Sequence, residues 1–346
     1  MRYRLLGNSG LRVSELALGT MTFGEDWGWG AGEDACREMF ERYVEAGGNV
    51  VDTANNYTNG TSERIVGDLL DGRRDEFVVA TKYSLSTRDG DPNASGNGRK
   101  NLFQSVDASL ERLDTDYLDL LWVHAWDGVT PVEETMRALD DVVSSGRVHY
   151  VGFSDAPAWV VARAQTLAAE RGWTPFSAIQ VKYALTERTV ERELLPMARA
   201  LDLGVLVWSP LDGGVLTGKY VDGQREGDGR VTTTGRDLTE YQERVAREVV
   251  DVAADLDVTP AQVAIAWVRA QGDRYVPILG ARTLDQLDDN LAALDVSLTD
   301  DHLARLDEAS AVEMGFPHDF LARPAIRNIL FGGTYDQLDA PNDYVE

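Results

Sequence analysis

The chain has 346 residues, of which 43% are hydrophobic and 26% charged, a composition typical of a folded globular protein with a sizeable core. It carries 33 basic against 58 acidic residues, a formal net charge of −25, and this field repels nucleic-acid phosphates and anionic lipid surfaces. Nucleic acid and membrane are therefore not expected as partners. The basic residues are almost all Arg and the acidic ones mostly Asp, which predicts a halophilic protein.

The single cysteine, Cys36, lies in an amphipathic helical pattern, so it is expected in the core, and no intrachain disulfide or thiolate metal cluster is possible. The N-terminus lacks the apolar run of a signal peptide, and no apolar stretch is long enough to span a bilayer. These features predict a cytoplasmic protein.

Short apolar runs alternate with longer stretches of helical periodicity along the whole chain. In order, the runs that precede predicted helices are ELALGTMTF, NVVDTA, FVVATKY, LDLLWVH, HYVGFSDA, FSAIQVKY, VLVWSP and VPILGA. Strands that are apolar on both faces and separated by helices form parallel sheets with right-handed crossovers. Eight such units close a barrel, so the sequence predicts one (β/α)8 TIM-barrel domain over residues 1–346.

Three segments do not fit this repeat. Residues 1–15 contain two short alternating runs around a turn and predict an N-terminal β-hairpin. Residues 212–240 follow the seventh strand, are rich in Gly and Thr, and predict a mobile lid loop. Residues 311–346 form a long C-terminal tail whose apolar side chains, Phe316 and Ile329 among them, predict a segment packed on the barrel.

Polar side chains interrupt the apolar runs at the C-terminal ends of the strands, where barrels of this kind place their reacting groups. They are Asp52, Lys82, His124, Ser154, Asp155, Gln180, Tyr183 and Ser209. Tyr57 follows Asp52 by one short loop. Singly, each could be structural: Asp52 could cap a turn and His124 could be a satisfied core residue.

Together, Tyr57, Lys82 and Asp52 predict one constellation beside His124. In it, an ammonium held by a carboxylate lowers the pKa of a phenol from its ordinary value near 10. Such a phenol can donate a proton to a carbonyl oxygen near neutral pH.

Seven motifs follow one another over essentially the whole chain: DTANNY, ATKY, LLWVHAWD, VGFSDAPAW, IQVKYALTER, WSPLDGGVLTGKY and PILGARTLDQLDDNL. This ordered set resembles the aldo-keto reductase superfamily and is most similar to the bacterial and archaeal group related to potassium-channel β subunits. The resemblance implies a barrel enzyme that reduces an aldehyde or ketone with NADPH. The alternative is a channel-β-subunit-like redox sensor or regulatory protein that binds a nicotinamide and turns over slowly.

The resemblance also implies residue roles. Tyr57 is expected to be the general acid, and Lys82 and Asp52 to tune it. His124 is expected to orient the carbonyl. Cofactor contacts are expected in three groups: Ser154, Asp155 and Gln180 on the nicotinamide amide with Tyr183 stacked on its ring; Ser209, Leu211, Gly213, Leu216 and Lys219 along the pyrophosphate; and Gly280, Arg282, Gln286 and Asn290 at the adenosine end.

The adenosine end departs from the family pattern. Gly280 stands where many members place a Lys for the 2′-phosphate of NADP, and Gln286 where they place an Arg. Arg282 is the nearby cation, and an Arg can hold a phosphate through two hydrogen bonds. NADP is therefore the expected cofactor and NAD the alternative.

No metal is expected, because His124 alone among the four histidines ends a strand convincingly. Aromatic residues in the predicted loops would wall an apolar pocket for a small carbonyl substrate, or simply pack on the barrel rim. These residues are Trp27, Trp29, Trp126 and Phe316. The sequence does not indicate an oligomeric state.

Overall fold

The computed structural model describes residues 1–221 and 237–338, and its centre is a closed barrel of eight parallel strands. An antiparallel hairpin of β1 (Tyr3–Leu5) and β2 (Arg12–Ser14) precedes the barrel. The barrel strands are β3 (Ala17–Gly19), β4 (Val50–Asp52), β5 (Val78–Tyr83), β6 (Leu118–Val123), β7 (Val148–Ser154), β8 (Phe176–Lys182), β9 (Gly204–Trp208) and β10 (Tyr275–Leu279). They pair in chain order from β3 to β10, and β10 closes on β3, which confirms the predicted TIM barrel and hairpin.

Helices follow the strands in the order that the periodicity predicts. They are α1 (Glu33–Glu45), α2 (Thr61–Leu70), α3 (Arg99–Leu113), α4 (Val132–Ser144), α5 (Ala158–Arg171), α6 (Leu194–Ala200), α7 (Glu240–Leu256), α8 (Pro260–Ala270), α9 (Leu284–Leu291) and α10 (Asp300–Ala309), with α11 (His318–Leu321) and α12 (Pro324–Leu330) in the tail. The apolar faces of α1 to α10 pack on the outer face of the barrel in one continuous core, which includes the fully buried Cys36.

The hairpin seals the N-terminal end of the barrel. Leu6 and Val13 belong to the same buried cluster as the inward-facing side chains of the strands. Gly7 passes so close to β8 that a Cβ atom there would lie 2.3 Å from the carbonyl oxygen of Ser177. The opposite end, where the strands finish, is left for functional groups.

Residues that face the barrel interior recur at every second position, as strand geometry requires. On several strands, the inward-facing side chains are buried in one cluster inside the barrel. The next inward-facing position, two residues further along each strand, carries a polar or aromatic side chain at the C-terminal end of the strand. The series are Val50 and Asp52; Val78, Ala80 and Lys82; Leu120, Trp122 and His124; Tyr150, Gly152 and Ser154; Ala178 and Gln180; and Leu206 and Trp208. The barrel thus aims these side chains at its mouth.

The two remaining irregular segments are the predicted lid, which stays a prediction, and the predicted packed tail. In the predicted lid, a 3-10 turn (Asp212–Thr217) buries Val215 and Leu216, α7 begins at Glu240, and residues 222–236 lie outside the described part. The predicted packing of the tail is wrong over residues 311–338: Phe316 and Ile329 are 85% and 74% exposed. Two short helices, α11 and α12, form in the tail, and none of the described tail residues is buried.

No helix within residues 1–221 and 237–338 is both long enough and apolar enough to cross a membrane.

Candidate active site

A buried ion pair forms the centre of the site. Lys82 Nζ lies 2.5 Å from Asp52 Oδ2 and donates a second hydrogen bond of 2.9 Å to the carbonyl oxygen of Thr53. Burial alone would lower the pKa of the Lys82 ammonium, but Asp52 and Tyr57 outweigh it, and the pKa is raised. Lys82 is therefore a fixed positive charge at the barrel mouth.

The half-buried Tyr57 lies next to this charge. Lys82 Nζ is 4.9 Å from the centre of the Tyr57 ring, and the ring meets His124 edge-on, with centroids 5.9 Å apart. The expected lowering of the phenol pKa is wrong: burial raises the pKa of Tyr57, and the opposing effect of Lys82 is smaller. The phenol consequently stays protonated in neutral solution and keeps the proton that a general acid needs.

His124 is a neutral imidazole. Burial, assisted by the positive charge of Lys82, lowers its pKa from 6.5 to about 3. Its Nδ1 atom is buried and has no hydrogen-bond partner among the described residues. A neutral ring at this position can form a hydrogen bond with a carbonyl group without competing with Tyr57 as a cationic acid.

Gln180 joins the same cluster from the far side of the barrel. Its Nε2 atom donates a 2.9 Å hydrogen bond to Asp52 Oδ1, and both side chains are buried. This bond of the Gln180 amide nitrogen was not among the implied contacts, and the implied contact with the nicotinamide amide stays a prediction.

Tyr183 does not face the barrel mouth. Its ring is 1% exposed and packs against Trp267 in the outer core, with centroids 5.1 Å apart, and its hydroxyl donates a 2.6 Å hydrogen bond to Glu191. Tyr183 stands three residues after the inward-facing Gln180, so it lies out of phase with the interior series. This geometry does not support the stacking role expected for it.

Trp208 is the aromatic residue that the sequence reasoning missed. It continues the interior series of β9, packs against the inner cluster, and donates a 3.1 Å hydrogen bond from Nε1 to Asp155 Oδ1. Alternation along VLVW was the signal that could have found it, since Leu206 faces inward. Asp155 itself has a left-handed backbone, with φ 41°.

The residues expected along the pyrophosphate lie together after β9. Ser209 Oγ accepts a hydrogen bond from the amide of Gly213, Leu211 precedes the 3-10 turn, and Leu216 is buried beneath it. Lys219 is exposed, and its Nζ lies 5.0 Å from the centre of the Tyr220 ring.

Asp212 anchors this turn, a role that the sequence analysis did not foresee. The buried carboxylate accepts hydrogen bonds from Thr186 and Gln242 and pairs with Lys182 Nζ at 2.8 Å. Burial alone would raise the pKa of Asp212, but these partners together lower it. The Asp212 carboxylate thereby joins Lys182 and Thr186, which precede β9 in the chain, to Gln242 in α7, which follows it.

The residues expected at the adenosine end follow β10, the neighbour of β9. Asn290 Nδ2 donates to the carbonyl oxygen of Gly280 at 3.3 Å, and the Arg282 amide donates to Gln286 Oε1 at 2.9 Å. Gln286 therefore braces the loop that carries Arg282. Because β9 and β10 are adjacent, both predicted contact segments lie on one side of the mouth.

These residues fit a bound dinucleotide. Ser154 Oγ is buried with no hydrogen-bond partner among the described residues, an arrangement that costs roughly 1–3 kcal/mol until a polar group binds it. A Cβ added at Gly280 would meet nothing within 4 Å, so the chain leaves open space there. By contrast, no three His, Cys, Asp or Glu side chains within the described ranges are placed to hold a metal ion.

The aromatic residues of the loops divide into two groups. Trp27 meets Tyr57 edge-on with ring centroids 6.4 Å apart, and Trp29 lies 5.7 Å from Trp27. Trp126 packs instead against Trp159, and Phe316 extends into solvent. The pair Trp27 and Trp29 is thus the aromatic wall nearest to the phenol.

Comparison with known proteins identifies relatives along most of the chain. The profile of the Aldo/keto reductase family matches residues 15–311. An aryl-alcohol dehydrogenase of Pestalotiopsis microspora is 36% identical over 92% of this chain and 85% of its own length. Norsolorinic acid reductase B of Aspergillus parasiticus is 38% identical (93% and 87%), and a putative aryl-alcohol dehydrogenase of Saccharomyces cerevisiae is 33% identical (92% and 89%).

Proposed function

The chain belongs to the aldo/keto reductase family and is an NAD(P)-dependent oxidoreductase, and from this premise we propose that it reduces aldehydes or ketones to alcohols with NADPH. The observation that carries the proposal is the buried Asp52–Lys82 pair beside the protonated Tyr57. A bound nicotinamide would supply the hydride, and the residues of the chain would supply the proton and the orientation.

Tyr57 donates the proton to the carbonyl oxygen. A phenol of raised pKa is a weak acid in the resting site, but a developing alkoxide is a far stronger base than a phenolate, so the transfer is downhill as the reaction proceeds. Lys82 stabilises the phenolate that remains, because its positive charge is fixed by Asp52. His124, neutral at working pH, holds the carbonyl oxygen by a hydrogen bond.

The nearest aromatic wall favours an aryl carbonyl as substrate. Trp27 lies against Tyr57, so a flat apolar ring attached to the carbonyl can pack there while its oxygen reaches the phenol. Two relatives bear names that refer to aryl alcohols, which supports the same substrate class. We expect Trp208, rather than Tyr183, to pack on the cofactor ring, because Trp208 continues the inward-facing series of β9.

Stopped-flow single turnover tests the proposal. NADPH oxidation by the preformed binary complex is expected to be fast with benzaldehyde and slower with an aliphatic aldehyde of similar reactivity. A tightly retained cofactor that none of the aldehydes or ketones oxidises would favour the redox-sensor alternative. That the chain belongs to the group related to potassium-channel β subunits stays a prediction.

Cofactor choice has its own test. Arg282→Ala is expected to raise the Michaelis constant for NADPH about 10- to 100-fold and that for NADH little, because only NADPH has a 2′-phosphate to lose a charge-assisted contact. Asn290→Ala is a control that removes a neighbouring contact without removing charge. Equal losses with both cofactors in Arg282→Ala would reassign Arg282 to a structural role and favour NAD.

A further inference from the structure

We infer that Gln180 is a positioning residue for proton donation: it fixes one oxygen of Asp52 so that the other can hold Lys82 against Tyr57. The inference rests on the proposed carbonyl reduction, and it assigns Gln180 a role apart from contact with the nicotinamide amide.

The two oxygens of Asp52 have separate donors. Oδ1 accepts from Gln180 Nε2 at 2.9 Å and Oδ2 from Lys82 Nζ at 2.5 Å. The three side chains are only 1–3% exposed, so water does not replace a lost donor at low cost. The carboxylate is therefore held at both ends.

The contact between Gln180 and Asp52 spans the barrel. In the order of the closed sheet, β4 and β8 stand four strands apart among eight, which is the largest possible separation. No ladder pairing joins β4 to β8, so the hydrogen bond between the Gln180 and Asp52 side chains crosses the barrel mouth directly. Its loss would free the carboxylate to rotate about its own side chain, and Lys82 with it.

The expected effect on the phenol has a definite sign. The Asp52 charge raises the pKa of Tyr57, and the positive end of the Gln180 amide dipole partly offsets that charge. Removing the amide should therefore make Tyr57 harder to ionise. In the pH profile of kcat for carbonyl reduction, activity falls on the alkaline side as Tyr57 loses its proton. This alkaline limb should move to higher pH.

Gln180→Met keeps the length of the side chain and removes its donor. We expect a shift of the alkaline limb of kcat by about half a pH unit or more, a several-fold lower kcat, and an NADPH dissociation constant, measured by fluorescence quenching, within about threefold of wild type. Ser154→Ala is the matched control for loss of a cofactor contact: it should weaken NADPH binding and leave the limb unmoved. A Gln180→Met enzyme with weakened NADPH binding and an unmoved limb would overturn the inference.

Gln180→Glu provides the rescue. Its protonated form can donate to Asp52 as the amide does, whereas its ionised form cannot. Activity relative to Gln180→Met should therefore recover as pH falls and vanish as pH rises. Identical pH profiles for the Glu and Met variants would contradict the positioning role.

A measurement without turnover keeps the inference separate from the proposed function. Denaturant unfolding of the cofactor-free protein is compared for Gln180→Met, Asp52→Ala and the double variant, because Ala removes the oxygen that accepts from Gln180. The double variant should lose less stability than the sum of the single losses, because the second change removes a bond already broken. Additive losses would refute the contact even in an inactive protein; coupled losses with an unmoved limb would refute the positioning role while the reductase proposal stands.

Discussion

A single hydroxyl at the barrel mouth carries the proposed proton transfer. Tyr57→Phe keeps the ring that packs between His124 and Trp27, so fold and cofactor affinity should barely change. Carbonyl reduction should fall roughly 10²- to 10⁴-fold, as is typical when a general acid is lost. Lys82→Met should act at the same step, and the double variant should be little worse than the worse single one, because the two groups form one unit.

Single-turnover rates, with cofactor binding checked by fluorescence quenching, test this prediction. Near wild-type turnover by Tyr57→Phe would leave His124 as the donor. Multiplicative losses in the double variant would mean that Lys82 acts independently of the phenol.

His124 gives stability a pH dependence of known sign. Its pKa is about 3 in the folded chain and 6.5 when exposed, so the unfolded state takes up a proton first as pH falls. Wild type should therefore lose stability relative to His124→Gln between pH 6.5 and 3, by at most about 1.4 kcal/mol per pH unit for one proton. Urea unfolding of both proteins at pH 7, 5.5 and 4.5 measures the difference; a difference that does not vary with pH would mean that His124 titrates normally.

At the level of single residues, the sequence predicted which residues form the cluster at the barrel mouth better than it predicted their pKa values. Asp52, Lys82, His124 and Gln180 could be found because each interrupts an apolar run at a strand end. The direction of the Tyr57 pKa could not be predicted, because it is the difference between burial and the charge of Lys82, and burial is a property of the folded chain.

Whole elements were the most predictable level, since the apolar runs and their spacing determine both strand and helix. The Thr283 hydroxyl caps α9 by accepting a hydrogen bond from the Gln286 amide, as a Thr directly before a helical run predicts. At α2, however, the cap position is Gly60, whose left-handed φ of 91° the sequence pattern did not reveal.

The cap of α8 supports the turn beneath the mouth. Thr259 forms a capping box with Gln262 and also donates to Asp289, while the first helical residue, Pro260, lies against Gly218. Thr259→Ala should cost about 1 kcal/mol of unfolding free energy, because the amide of Gln262 loses its acceptor.

The matched control for this change is Thr166→Ala, which lies exposed in the middle of α5 and only bonds back to its own helix. Chemical denaturation of both variants measures the effect. An equal and small loss in the two would show that the capping box contributes little.

Over the whole molecule, charge dominates the response to salt. Individual ion pairs, such as Arg305 with Glu248 and Asp255, weaken as salt screens them, but exposed pairs contribute only about 0–1 kcal/mol each. The surplus of acidic residues behind the net charge of −25 repels itself, and that repulsion is screened over about 10 Å at 0.1 M salt.

Melting temperature should therefore rise with potassium chloride up to about molar concentration, the direction expected of a halophilic protein. Sucrose at equal osmolality controls for a general solute effect. A flat or falling melting temperature would mean that the pairs outweigh the surplus, and it would remove the basis for the halophilic prediction.

The tail marks the limit of prediction at this scale. Apolar composition suggested packing, but composition does not state the partner, and residues 311–338 leave Phe316, Ile329 and Leu330 exposed. The barrel could be predicted because the strands and helices of the repeat supply its core between them.

The alternation that fills the barrel and the alternation that presents its reactive groups are one and the same register. A residue inserted into or deleted from the middle of β5 would turn Lys82 toward the helices and at the same time expel Val78 or Ala80 from the interior. The same strand register therefore determines both the packing of the interior and the direction of the reactive side chains. Insertions and deletions are accordingly expected to be tolerated in the loops and not in the strands. New substrates are accordingly expected to be acquired by changing loops such as the one that carries Trp27 and Trp29, with the strands left untouched.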